Sequence, residues 1–176
     1  MTEPVASLPL SRPVVITAVA VLVLGLIGGI GWQLAGVGNL TPQNEPVLPD
    51  FGIFYTAGRV ALHSQPSPAY DAATLTTAFH AFFATPPGSV SWNYPPPLLM
   101  VMAGLATLPY LAAAGLWGLA GLSSFVFAVR ALAPGGIFLL AGLLFPGTTM
   151  ALLSGPTGLL FAAALRGGGA AGALGR

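Results

Sequence analysis

Apolar residues run without a charge from Val14 to Leu34, behind Arg12 and Pro13. The run matches the roughly 20 residues that cross a hydrocarbon core about 30 Å thick, and it predicts a transmembrane helix over 14–34. A cleaved signal sequence has a shorter apolar core, about 7–15 residues, ending at a small-residue site. Here the run continues straight into Gly31-Trp32-Gln33. Between 35 and 97 the pattern breaks up. Residues 36–49 are rich in Gly, Asn and Pro and read as irregular. Beyond them Phe51, Phe54, Tyr55, Gly58 and Leu62 fall on one helical stripe, which predicts a short amphipathic helix over 51–62. A second is predicted over 72–83. Asp50 and Asp71 stand at the two starts, where a carboxylate can bond free N–H groups and meet the positive end of the helix dipole. Both helices are too short to span. They read as interfacial, with their aromatic faces turned to the membrane.

Pro95, Pro96 and Pro97 lack backbone donors and predict an extended approach, while Trp92 and Tyr94 suit the headgroup zone. Residues 98–108 are apolar but few, and Pro109-Tyr110 interrupts them. They either span, lengthened by the proline segment, or form a re-entrant arm; spanning is the favoured reading. Residues 111–131 make a second full-length span. Further apolar helices are predicted over 136–152 and 157–172, with breaks at Phe145-Pro146-Gly147 and Ser154-Gly155-Pro156. The predicted fold class is all-α, a polytopic transmembrane helix bundle with two short interfacial helices in its first extracytoplasmic loop. Arg12, on a short flank, places residues 1–13 in the cytoplasm and the loop 35–97 outside, in a multi-pass cell-membrane protein. If 98–108 spans, Arg130 falls on the outer side, against the positive-inside tendency.

Composition changes this picture only by strengthening it. Of 176 residues, 55% are hydrophobic and 5% charged, with a mean hydropathy of +0.86. Soluble domains carry about 25% charged residues, so the apolar excess here needs a lipid bilayer as its partner. The five basic residues are all arginine, scattered, and the net charge is +1. Nucleic-acid binding needs a clustered basic face and is excluded. With no cysteine there is no disulfide or thiolate chemistry. Nucleotide-cradling glycine loops, metal-ligand spacings and a nucleophile elbow are all missing, and no metal is expected. The carboxylates Asp50 and Asp71 remain as candidates for chemistry.

Four motifs then carry a resemblance. They are Asp50-Phe51…Phe54-Tyr55…Ala57-Gly58-Arg59…Leu62, Pro66…Tyr70-Asp71, Trp92-Asn93-Tyr94-Pro95-Pro96, and Leu108-Pro109-Tyr110…Ala113…Trp117. In order and spacing they resemble glycosyltransferase family 87, from about Gly31 to the C-terminus. That family belongs to the C-type (GT-C) membrane glycosyltransferases and includes mycobacterial mannosyltransferases of phosphatidylinositol mannoside synthesis. The resemblance implies a GT-C-like fold of which this chain is the N-terminal portion, with more helices, or a partner chain, completing the bundle. It also implies hexosyl transfer in the full-length form. A lipid-linked donor, a polyprenyl-phosphate sugar such as mannose, would serve an unidentified extracytoplasmic acceptor, with no cofactor besides. Where the family tends to show Gly-Gln-Asn-Gly or Gly-Gln-Thr-Gly, this chain has Gly155-Pro156-Thr157-Gly158, which removes an amide side chain and a backbone donor.

By the same resemblance Asp50 is the general base of an inverting displacement. Arg59, Tyr55, Asp71, Trp92, Asn93 and Tyr94 are its substrate-binding candidates. A phosphate leaving group needs little acid assistance, so one carboxylate suffices. Each residue has a second reading. Asp50 and Asp71 can be helix caps, Arg59 an anchor to headgroups, and the aromatics ordinary interface residues. On an ideal helix Arg59 lies about 180° from Asp50, so the two share a site only if Asp50 precedes the regular turns. A non-catalytic scaffold and part of a transporter are the alternative functions. The transporter reading lacks the mid-membrane polar residues it requires.

Overall fold

The computed structural model describes residues 12–84, 88–132, 136–155 and 158. Among them the chain is helical, without strands apart from one isolated antiparallel bridge between Leu40 and Pro46. The helices are α1 (Arg12–Leu34), α2 (Pro49–His63), α3 (Ala72–Phe83), α4 (Pro96–Leu105), α5 (Tyr110–Leu132), α6 (Gly136–Leu144) and α7 (Pro146–Ser154). A 3₁₀ turn, Ser67–Tyr70, joins α2 to α3. The predicted helix over 157–172, apart from Gly158, and the segment 1–11 lie outside the described residues.

Two helices, α1 and α5, are long and apolar enough to cross a membrane. Helix α1 stands almost free, with Ile16, Val21, Leu24 and Ile27 each exposing over half their surface. An apolar face of that size is stable against hydrocarbon and costly against water.

The core lies instead around α2. Phe51, Phe54, Tyr55 and Ala57 are buried with Leu75, Phe79 and Phe83 of α3, Leu99 and Met102 of α4, and Tyr110, Ala113 and Trp117 of α5. The aromatic stripe predicted to face a membrane therefore packs inward. Phe51 stacks on Trp117 at 6.4 Å, and Tyr55 meets Tyr110 edge-on at 5.1 Å. Leu62, the last member of the stripe, is exposed. Helices α2 and α4 approach most closely at Gly58. A Cβ there would lie 2.3 Å from the Met102 carbonyl oxygen, so only glycine permits the contact.

Two boundaries differ from the sequence pattern for physical reasons. Pro96 and Pro97 do not extend the approach to a helix but begin α4, where their fixed φ suits the first turn and no N–H is needed. The ten residues of α4 rise about 15 Å, half of a hydrocarbon core. It packs on α2. The segment 136–152 is two helices because Pro146 has no N–H to give to the Gly142 carbonyl. The Thr148 hydroxyl supplies that bond instead, at 2.7 Å, and the buried Thr148 side chain holds the break closed.

Candidate functional site

Helix α2 begins at an unusual turn. Leu48, its N-cap, has φ of 55° and ψ of 72°, a left-handed conformation that strains a branched residue. Two side chains hold it. The Gln33 side chain of α1 accepts from Leu48 N–H at 2.8 Å and donates to the Leu153 carbonyl of α7 at 2.7 Å. The Tyr110 hydroxyl donates to the carbonyls of Val47 and Leu48. One amide and one phenol thus tie α1, α5 and α7 to the start of α2. Tyr110 stands in the fourth motif without a role assigned to it, and Gln33 is not among the site candidates. A lone glutamine near the end of an apolar run was the available signal, since such side chains bond across helices.

Asp50 follows this turn and is exposed, inside the first turn of α2. Its carboxylate makes no hydrogen bond or ion pair among the described residues, and no side-chain cap closes α2. Asp71 behaves differently. It accepts from both the Thr74 N–H (2.8 Å) and the Thr74 hydroxyl (2.6 Å), and these bonds hold its carboxyl below the ordinary value of 3.8. Asp71 is spent as the cap of α3. Asp50 is free.

An apolar cavity of about 540 Å³ reaches the residues just before α2, though Asp50 itself does not line it. Leu26, Ile30 and Leu34 of α1 and Leu111, Gly118 and Leu122 of α5 line it. Val47 and Leu48, just before Asp50, line one part, and Leu152 and Leu153 of α7 another. The one polar lining residue, Gln33, has its amide occupied on both sides. Next to Leu153, Gly155 abuts Asp50 itself.

The other candidates are not gathered around Asp50. Because α2 is regular from Pro49, Arg59 lies about 180° round the helix and about 13 Å along it. The condition for a shared site is not met. Tyr55 is buried, its hydroxyl bonded to the Leu108 carbonyl at 2.8 Å. Trp92 is buried edge-on to Phe54 at 5.1 Å, and its indole N–H has no partner among the described residues. Tyr94 packs on Phe54 at 4.8 Å, half-buried. Asn93 is exposed and donates to the Ser91 hydroxyl at 3.2 Å. No group of three or more potential metal-ligating side chains occurs among the described residues. No protein-family model, curated protein or solved structure matches the chain.

Proposed function

We propose that the chain is a polytopic membrane glycosyltransferase of the C-type, or part of one, moving a sugar from a polyprenyl-phosphate donor to an extracytoplasmic acceptor with inversion. The four sequence motifs support this reading. The single structural observation that carries it is the uncommitted carboxylate of Asp50 two residues beyond Leu48, which lines an apolar cavity between α1, α5 and α7. A prenyl chain suits such a lining, and a base needs a carboxylate with no other partner. In the displacement Asp50 takes the proton from the acceptor hydroxyl while the acceptor oxygen bonds to the anomeric carbon. The bond from that carbon to the phosphate oxygen breaks, and polyprenyl phosphate leaves.

In this reading α1 carries the chain outward and α5 carries it back. Helix α4 stays on the outer side, so Arg130 ends α5 on the same side as Arg12, in line with the positive-inside tendency. Helices α6 and α7 form a third, broken crossing that returns to Asp50, a type of irregularity tolerated where it lines a cavity. A non-catalytic scaffold is the second reading, favoured by the burial of Tyr55 and Trp92 in the core.

The deciding experiment is transfer from polyprenyl-phosphate mannose in membranes bearing the protein. Asp50→Asn is expected to lower the rate by about 10²–10⁴-fold without changing thermal stability, since the carboxylate bonds to nothing. Asp71→Asn should leave the rate nearly intact. Full activity of Asp50→Asn removes Asp50 as the base and favours the scaffold.

A further inference from the structure

The opposite face of α2 carries a second feature, independent of the transferase reading. A groove of about 340 Å³ runs between α2 and α3, with Arg59 and His63 on one wall and Ala78, Ala81 and Phe82 on the other. Arg59 is half-buried. Its guanidinium carbon lies 4.5 Å above the centre of the Phe82 ring, within cation–π range. Among the described residues Arg59 makes no hydrogen bond and no ion pair, and no acidic side chain lines the groove. A guanidinium offers five N–H donors in a planar fork, and here none of them is taken up by another described residue. Something that accepts hydrogen bonds and carries negative charge would answer them.

We propose that the α2–α3 groove binds a phosphate group, borne by a lipid headgroup or free, with Arg59 as principal ligand and His63 as second donor. Phosphate is the anion whose paired oxygens match the guanidinium fork. Phe82 presets the guanidinium from below, which reduces the rotamer freedom that binding must remove. His63 stands one turn along α2 from Arg59 and contributes a ring N–H to the same space. The carbonyl end of α2 works against an anion here. It amounts to about half a charge at most and is screened within the last turn, so the full charge of Arg59 outweighs it.

The test uses the purified chain in neutral detergent micelles, titrated calorimetrically with dihexanoyl phosphatidic acid, inorganic phosphate and dihexanoylglycerol. Phosphatidic acid is expected to bind and dihexanoylglycerol, with the same chains but no phosphate, is not. Arg59→Gln should weaken binding at least tenfold. Arg59→Lys, which keeps the charge but loses the fork, should weaken it several-fold, and Arg130→Gln should change nothing. Equal binding of inorganic phosphate assigns the site to free phosphate, and binding of phosphatidic acid alone assigns it to a headgroup; both support the site. Failure of the unaltered chain to bind either phosphate compound overturns it. So does equal binding of dihexanoylglycerol, or an equal loss in Arg130→Gln. Unchanged affinity in Arg59→Gln also overturns it; if that variant does not fold, unchanged affinity in Arg59→Lys decides in the same way.

Discussion

Gly155 lies against Asp50: a methyl group built on Gly155 would sit 3.2 Å from the Asp50 Cβ and 3.0 Å from the Phe51 nitrogen. The two residues are far apart in sequence and meet because α7 returns to the start of α2. Gly155 also has φ of 143°, a conformation L side chains rarely adopt. Space and backbone angle therefore demand glycine for separate reasons.

Gly155→Ala is accordingly expected to destabilise the protein by about 1–3 kcal/mol and to push α7 away from α2. Thermal unfolding in detergent measures the first effect. Hydrogen exchange at the Leu48 amide measures the second, since its partner Gln33 is shared with Leu153. A stability equal to the unaltered protein would mean that α7 does not rest on α2.

Gly58 and Gly104 give a contrasting pair on the two helices that pack most closely. A Cβ on Gly58 meets the Met102 backbone, which cannot rotate away, whereas one on Gly104 meets nothing within 4 Å. Gly58→Ala should cost about 1–3 kcal/mol or more by forcing α2 and α4 apart. Gly104→Ala should raise stability by up to about 1 kcal/mol, because alanine restricts the unfolded chain and favours helix. Denaturation of the two variants side by side checks the opposite signs.

Acid should loosen α3 before the aromatic core. The Thr74 bonds depress the Asp71 carboxyl in the folded state, so their contribution is complete above its ordinary value of 3.8. It is lost as pH falls through the lower folded value. The Thr74 amide resonance should shift in that acidic window, and Asp71→Asn should abolish the dependence. A Thr74 shift that persists in Asp71→Asn would assign it to another group.

The absence of cysteine makes the topology directly measurable. Single cysteines at Gln65 and Ala131, both exposed, should react with an impermeant maleimide from opposite sides of the membrane. Labelling of both from one side would mean that the chain crosses once more between them, through residues 98–108.

Local pattern made some elements legible. Helix α3 has the bounds its pattern predicts, 72–83, and α1 and α5 differ from theirs by a residue or two, because length, apolar content and the Asp71 cap are all local signals. The direction in which the α2 stripe faces was not local. Phe51, Phe54 and Tyr55 would suit a membrane surface or a protein core equally well, and the choice depends on Trp92, Tyr110 and Trp117 arriving from elsewhere. The candidate site divides similarly. Asp50 and Asp71 look alike in sequence, each heading a short helix. They separate only because Thr74 stands where it can use the Asp71 carboxylate, while the αL turn at Leu48 places Asp50 inside its helix. Gln33, Tyr110 and Gly155 act through contacts far along the chain, which no spacing rule reveals.

The Thr148 hydroxyl, by answering the Gly142 carbonyl that Pro146 leaves unserved, turns a broken helix into a bent strut. A loose joint would let the tip of α7 wander; a splinted one delivers it to a single address. The neighbourhood of Asp50 is in this way aligned from a distance, by a corner whose angle is set by one hydroxyl rather than by anything that touches the carboxylate.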